Sequence, residues 1–139
     1  RVFALDVGYG QLHYKLREDK RVSVMERINA KNPFDLQEPV DLATVDVSFI
    51  SITRVLPSLY PHMRTGGAIL ALIKPQFEAK KSDVERRGIV RKPMIHAEVL
   101  GRVINWSINN GFRFLDLVPS PITGPQGNRE FFILIQKHV

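Results

Sequence analysis

Several apolar runs in this chain stop at an ionisable side chain. Val2–Leu5 ends at Asp6, residues 42–45 end at Asp46, and residues 68–73 end at Lys74. Val22–Met25 likewise ends at Glu26, and Glu130 stands directly before the last run, residues 131–135. Carboxylates and amines are the groups that accept, donate and steer protons near neutral pH. A lysine held between carboxylates stays protonated, while burial favours its neutral form, and the balance decides whether it can take a proton from a substrate hydroxyl. Singly, each residue has a plainer role: a strand-end Asp caps a turn, a Lys before Pro is solvated, and an edge Glu confers solubility. Only convergence of several at one place would make a site.

Convergence depends on the elements that carry them. Short apolar runs bounded by turn residues read as buried strands, here at residues 2–5, 22–25, 42–45, 68–73, 112–118 and 131–135. Between them, Leu12 and Leu16 lie one helical turn apart, and Ile52, Val55, Leu56, Leu59 and Met63 mark one helix face that Pro57 and Pro61 would kink or shorten. Val99, Leu100, Val103, Ile104 and Ile108 keep helical spacing over residues 94–110, with Gly111 where a C-terminal cap belongs. Gly66 and Gly67 read as a turn into the fourth strand. Strands alternating with helices predict a largely parallel, doubly wound sheet, and the last two strands, joined without a helix, predict an antiparallel hairpin at one edge. In such sheets ligands bind beyond the C-terminal strand ends. An antiparallel last strand starts at that same edge, so Asp46, Lys74 and Glu130 can meet there.

Composition narrows the partners. Lys and Arg number 20 against 14 Asp and Glu, a formal charge of +6 that favours a polyanion such as RNA or DNA. Six of the basic residues lie in residues 79–93, which read as a mobile loop whose Lys80, Lys81, Arg86, Arg87, Arg91 and Lys92 are candidate phosphate contacts. With no cysteine, disulfides and cysteine-built zinc sites are excluded, no metal site is expected, and a reducing cytoplasm is the plain setting. The longest apolar run, residues 68–73, is far too short to span a bilayer as a helix. The 139 residues suit one domain.

Asp6-Val7-Gly8-Tyr9-Gly10 permits two registers. It can be the glycine-rich loop after a first strand, with Glu26 as the ribose-binding acid on the next strand. Alternatively, residues 2–5 form the second strand of the fold, Asp6 is itself the ribose-binding acid, and the true glycine loop lies upstream of Arg1. The absence of a helix between residue 26 and the strand at 42–45 favours the second register.

Five blocks, Leu5-Asp-Val-Gly-Tyr-Gly-Gln-Leu12, Met25-Glu-Arg-Ile-Asn29, Val45-Asp-Val-Ser-Phe-Ile-Ser51, Ile73-Lys-Pro-Gln-Phe-Glu78 and Pro119-Ser-Pro-Ile122 with Gly127-Asn128, closely resemble the TlyA family. Those proteins, also called haemolysin A, are ribosomal RNA ribose 2′-O-methyltransferases with an FtsJ-like fold. The resemblance implies a Rossmann-like class I methyltransferase domain over residues 1–139 that lacks its first strand. The glycine-loop segment and a small S4-like RNA-binding domain are expected upstream. It further implies S-adenosylmethionine as cofactor, cytidine in ribosomal RNA or ribosomal subunits as substrate, and a Lys-Asp-Lys-Glu tetrad. Asp46, Lys74 and Glu130 match the last three tetrad members, and the first lysine would precede Arg1. Asp6 would hold the cofactor ribose, with Glu26 and Asn29 near the adenine. Arg87 and Lys92 depart from the family pattern, where glycine and aspartate are expected. On this reading residues 1–139 alone are catalytically silent. The competing readings are a non-catalytic RNA-binding module and a membrane-lytic haemolysin, and the second finds little support because a doubly wound core already uses the apolar helix faces.

Overall fold

The computed structural model describes residues 1–139. In chain order the elements are β1 (Val2–Leu5), α1 (Tyr14–Arg17), β2 (Val22–Met25), β3 (Val40–Val45), α2 (Leu56–Leu59), β4 (Met63–Ile73), α3 (Pro75–Glu78), α4 (Pro93–Asn109), β5 (Phe112–Pro119) and β6 (Phe131–Lys137). Strands β3, β4, β6 and β5 form one sheet in that spatial order, with β3 parallel to β4 and β6 antiparallel to both β4 and β5. The last strand thus does not simply add to an edge; it inserts between β4 and β5, leaving β5 outermost. This is the mixed α/β arrangement expected from the alternation of strands and helices.

Strands β1 and β2 pair in parallel as a separate two-stranded sheet rather than joining the other four. The single continuous sheet expected from the sequence is therefore interrupted. Between β1 and β3 lies a cavity of about 610 Å³, lined mostly by apolar residues that include Phe3, Leu5, Leu42, Val45 and Val55. Each of these two strands is hydrogen-bonded to a neighbour on one side only.

Alternation along β4 and β6 builds the core. Ile69, Ala71 and Ile73 are completely buried, as are Ile133 and Ile135, and all five belong to a cluster with Val99 and Val103 of α4, Leu56 and Phe112. Alternate strand residues share one face of a sheet, which is why these positions bury together.

Three further expectations are corrected. The helix anticipated over residues 52–63 is broken into a 3₁₀ turn at Ile52–Arg54, the single turn of α2 and a second 3₁₀ turn at Tyr60–His62. Pro57 and Pro61 each lack the N–H that a continuous helix would need. Gly66 and Gly67 do not precede a strand but lie inside β4, where the register against β3 slips between Val40 and Leu42. Gly66 has φ +78°, and a Cβ on Gly67 would lie 2.9 Å from the Arg64 carbonyl oxygen, so this irregular stretch requires glycine. The basic loop is anchored at its C-terminal end, because Ile89 and Val90 are buried and the Val90 N–H donates to Asn128 Oδ1 at 3.0 Å.

Ile69 sits at the centre of this packing, so Ile69→Ala should destabilise the domain by about 2–5 kcal/mol through lost apolar burial and the cavity left behind. A lowered denaturant midpoint with an unchanged slope is the expected result in equilibrium unfolding.

Candidate active site

Asp6, Glu26, Asp46 and Lys74 each follow the last residue of β1, β2, β3 and β4, and Glu130 precedes β6. Because β6 runs antiparallel to β4, its start lies at the same edge as the ends of the parallel strands. The closest association is between Asp46 and Lys74, whose Oδ1 and Nζ lie 2.7 Å apart. Lys74 Nζ also donates to Ser48 Oγ at 3.1 Å. The lysine side chain is only 13% exposed and the Asp46 side chain 69%, so the amine is sheltered while the carboxylate faces solvent. Pro75 begins α3 immediately after Lys74 and is fully buried, which fixes where the lysine leaves the strand.

Glu130 stands opposite Lys74 in the sheet, one step beyond the Ile73–Phe131 pair. Its carboxylate nevertheless makes no ion pair with Lys74. It accepts a hydrogen bond from Gln76 Nε2 at 2.9 Å, and Gln76 Oε1 is buried with no partner. Glu130 is buried and crosses closely over Gly124, where a Cβ would fall 2.1 Å from its Oε1. The structure thus joins Asp46 to Lys74 directly and places Glu130 next to them on a separate hydrogen bond.

The residues expected at a cofactor form a second group. Asp6 Oδ1 accepts the Gly8 N–H at 2.7 Å, and Glu26 Oε1 accepts the Gly10 N–H at 2.9 Å. Arg17 also grips Glu26 through both of its terminal nitrogens. That hydrogen bond, above all, holds the Glu26 carboxyl below the ordinary glutamate range. Asp6 and Glu26 line a small cavity of about 150 Å³ with Gln11 and Leu12. Asn29 lies outside it, exposed, its Oδ1 accepting the Lys31 N–H at 3.1 Å. Two carboxylates over a small cavity suit the hydroxyls of a ribose, although Glu26 now satisfies protein donors instead.

Lys80, Lys81, Arg86, Arg87, Arg91 and Lys92 are all exposed, and among these six only Arg91 forms an ion pair, with Glu85 at 3.5 Å. Asn128, 2% exposed, fastens their loop to the segment before β6 by accepting from Val90 and donating to the Gly88 and Pro125 carbonyls.

Ser48, Gln76, Phe49 and Glu78 were not singled out from sequence. Phe49 is 89% exposed at φ +63°, with its ring 4.9 Å from that of Phe77. A large side chain in the left-handed region is unusual and must be held there by its surroundings. The ring can offer a face to a planar base. Nothing local in the residue types predicts this conformation. Ser48, Gln76 and Glu78 do lie within the blocks that carry the family resemblance, which was the available signal.

The reversed strand between two parallel ones, with acids and a lysine at the C-terminal strand ends, defines a Rossmann-like methyltransferase domain. The model of the FtsJ-like methyltransferase family matches residues 1–137, and the chain belongs to that family. A Bacillus subtilis protein named as an rRNA methyltransferase is 48% identical over 94% of this chain and 48% of its own length. The 16S/23S rRNA (cytidine-2′-O)-methyltransferase TlyA of Mycobacterium tuberculosis is 40% identical over 97% of this chain and 51% of its own. The chain thus spans about half the length of these curated relatives. A solved Streptococcus thermophilus chain bearing a haemolysin name superposes with a TM-score of 0.93 at 43% identity, covering 99% of this chain and 50% of that one. The resemblance to the TlyA family read from the five blocks is borne out.

Two outcomes follow from this geometry. Gly124→Ala should drive the Glu130 carboxylate off Gln76, a displacement visible crystallographically and as a changed Glu130 carboxyl resonance. The Glu26 carboxyl, titrated by NMR, should have its midpoint below the usual glutamate range, and Arg17→Ala should raise it. The sign follows from the lowered folded-state value: the pairing favours the fold above the ordinary glutamate range and is lost as pH falls through the depressed midpoint.

Proposed function

We propose that this chain is the catalytic part of a ribosomal RNA ribose 2′-O-methyltransferase that uses S-adenosylmethionine and acts on cytidine. The observation that carries the reading is the sheltered Lys74 amine held by Asp46 and Ser48 at the strand-end edge, with Glu130 alongside. Membership of a methyltransferase family and the names of the relatives support it.

The bound donor supplies a sulfonium methyl that is already activated, so the protein's work is to position the ribose 2′-hydroxyl and receive its proton. Lys74 Nζ, as the neutral amine, is assigned the role of proton acceptor. Asp46 and Ser48 hold that nitrogen in place, and Glu130 with Gln76 shapes the far side of the site. That hydroxyl oxygen would pass its proton to Lys74 Nζ as it takes the methyl group that S-adenosylmethionine would supply. Asp6 is assigned to the donor's ribose, and Glu26 and Asn29 to the adenine side.

The exposed cations Lys80, Lys81, Arg86, Arg87, Arg91 and Lys92 suit the RNA backbone, whose affinity comes largely from phosphate neutralisation. No helix is long and apolar enough to cross a membrane, and a cytoplasmic location suits a ribosomal substrate. The apolar slot between β1 and β3 suits one further strand from a segment outside these residues. Such a segment would also carry the glycine loop and the remaining tetrad lysine that the family resemblance implies, and with an S4-like RNA-binding domain it would account for the half of the relatives' length that this chain does not span.

The test uses the longer protein. Calorimetry should record S-adenosylmethionine binding to it and not to residues 1–139. In the longer protein Lys74→Ala should abolish methyl transfer to ribosomal RNA while leaving donor affinity within about threefold, since the lysine contacts the reacting hydroxyl and not the donor. Loss of donor binding in that variant would overturn the assigned roles, and unchanged transfer would favour an RNA-binding module without catalysis.

A further inference from the structure

We infer that Glu78 is a positioning residue for the methyl-transfer site, latching the segment that carries Asp46 and Ser48 to the segment that carries Lys74; the inference rests on the function proposed above. The Glu78 side chain is 1% exposed, although a carboxylate is among the costliest groups to bury. It has recruited partners from two other parts of the chain. Oε1 accepts the Ile52 N–H at 2.8 Å, and Oε2 accepts Ser51 Oγ at 2.7 Å. Arg102 of α4 approaches Oε2 at 3.5 Å and also donates to the Glu78 carbonyl.

The position of these bonds gives them their consequence. Lys74 leaves β4 four residues before Glu78, and Asp46 leaves β3 five residues before Ser51. The two strands are paired side by side, so the sheet fixes one end of both connections and the Glu78 carboxylate fixes the other. The loop between Asp46 and Ser51 is thereby tied at both ends, with Phe49 held at φ +63° against Phe77. Ser48, which receives Lys74 Nζ, lies within the same tied loop. With the latch removed, the two strands remain paired through their backbone, but the loop is free to relax and carry Ser48 and Asp46 away from the amine. A shift of about 1 Å in such a group is enough to slow a reaction by roughly a hundredfold.

The experiment compares Glu78→Ala, Glu78→Gln and Ser51→Ala with the unaltered full-length protein. Amide hydrogen exchange and steady-state methyl transfer to ribosomal RNA are measured on each. In Glu78→Ala and Ser51→Ala, exchange over residues 47–52 should rise about tenfold, the scale of one lost buried hydrogen bond. Exchange in α4 and β6 should stay within about twofold, because the latch is local. The turnover rate should fall about tenfold or more, with KM for RNA and donor within about threefold. Glu78→Gln keeps an acceptor for the Ile52 N–H and should recover much of the rate. Exchange that rises equally across the sheet, or does not rise over residues 47–52, would overturn the inference, as would an unchanged turnover rate. Should Glu78→Ala fail to fold, Ser51→Ala carries the same comparison: it removes the Ser51–Glu78 bond together with the hydroxyl's bonds to Thr53, and leaves the Ile52–Glu78 bond in place. Absence of transfer by the unaltered protein would instead count against the proposed function, and the exchange pattern would still decide whether the latch exists.

Discussion

The pairing of β4 with the antiparallel β6 is the constraint on which the rest of this domain depends. It aligns Ile73 with Phe131, so the last residue of one strand faces the first residue of the other. From that single register follow the position of Lys74 opposite Glu130, the burial of alternate isoleucines on both strands and the exclusion of β5 to the edge. A slip of one residue would move every side chain of β6 to the other face of the sheet. The apolar alternation that forbids such a slip in the core therefore also holds the chemistry at the sheet's end in place.

Around that edge, buried polar side chains perform the alignment that apolar packing cannot. Glu78 joins two strand-end connections, and Asn128 joins the basic loop to the chain entering β6. Gln76 orients Glu130. Each is a directional bond from a buried group, and leaving any of them unmade would cost the desolvation of that group. Packing alone would tolerate several loop arrangements; these bonds select one.

The electrostatic layout divides the same edge into two regions. Opposite charges are paired at Asp46 with Lys74 and at Glu26 with Arg17, whereas the loop at residues 80–92 presents cations with few partners. Paired charges shape a site, and unpaired ones remain available to a polyanion.

The sequence by itself determined the strand order in the chain, the last long helix, the family and the set of ionisable residues at strand ends, because these are encoded in local periodicity and in contiguous blocks. Residues 2–5, 22–25 and 112–118 read as strands for that reason, and Pro57 and Pro61 signalled a shortened helix. Only the tertiary structure decided that β6 inserts between β4 and β5, that Gly66 and Gly67 lie within β4, and that β1 and β2 stand apart from the other four strands. It alone also decided which ions meet: Lys74 pairs with Asp46, while Glu130 turns to Gln76. The physical reason is range. Propensity and period act over a few residues, whereas register, burial and hydrogen-bond partners are settled between segments far apart in the chain, where no local pattern records them.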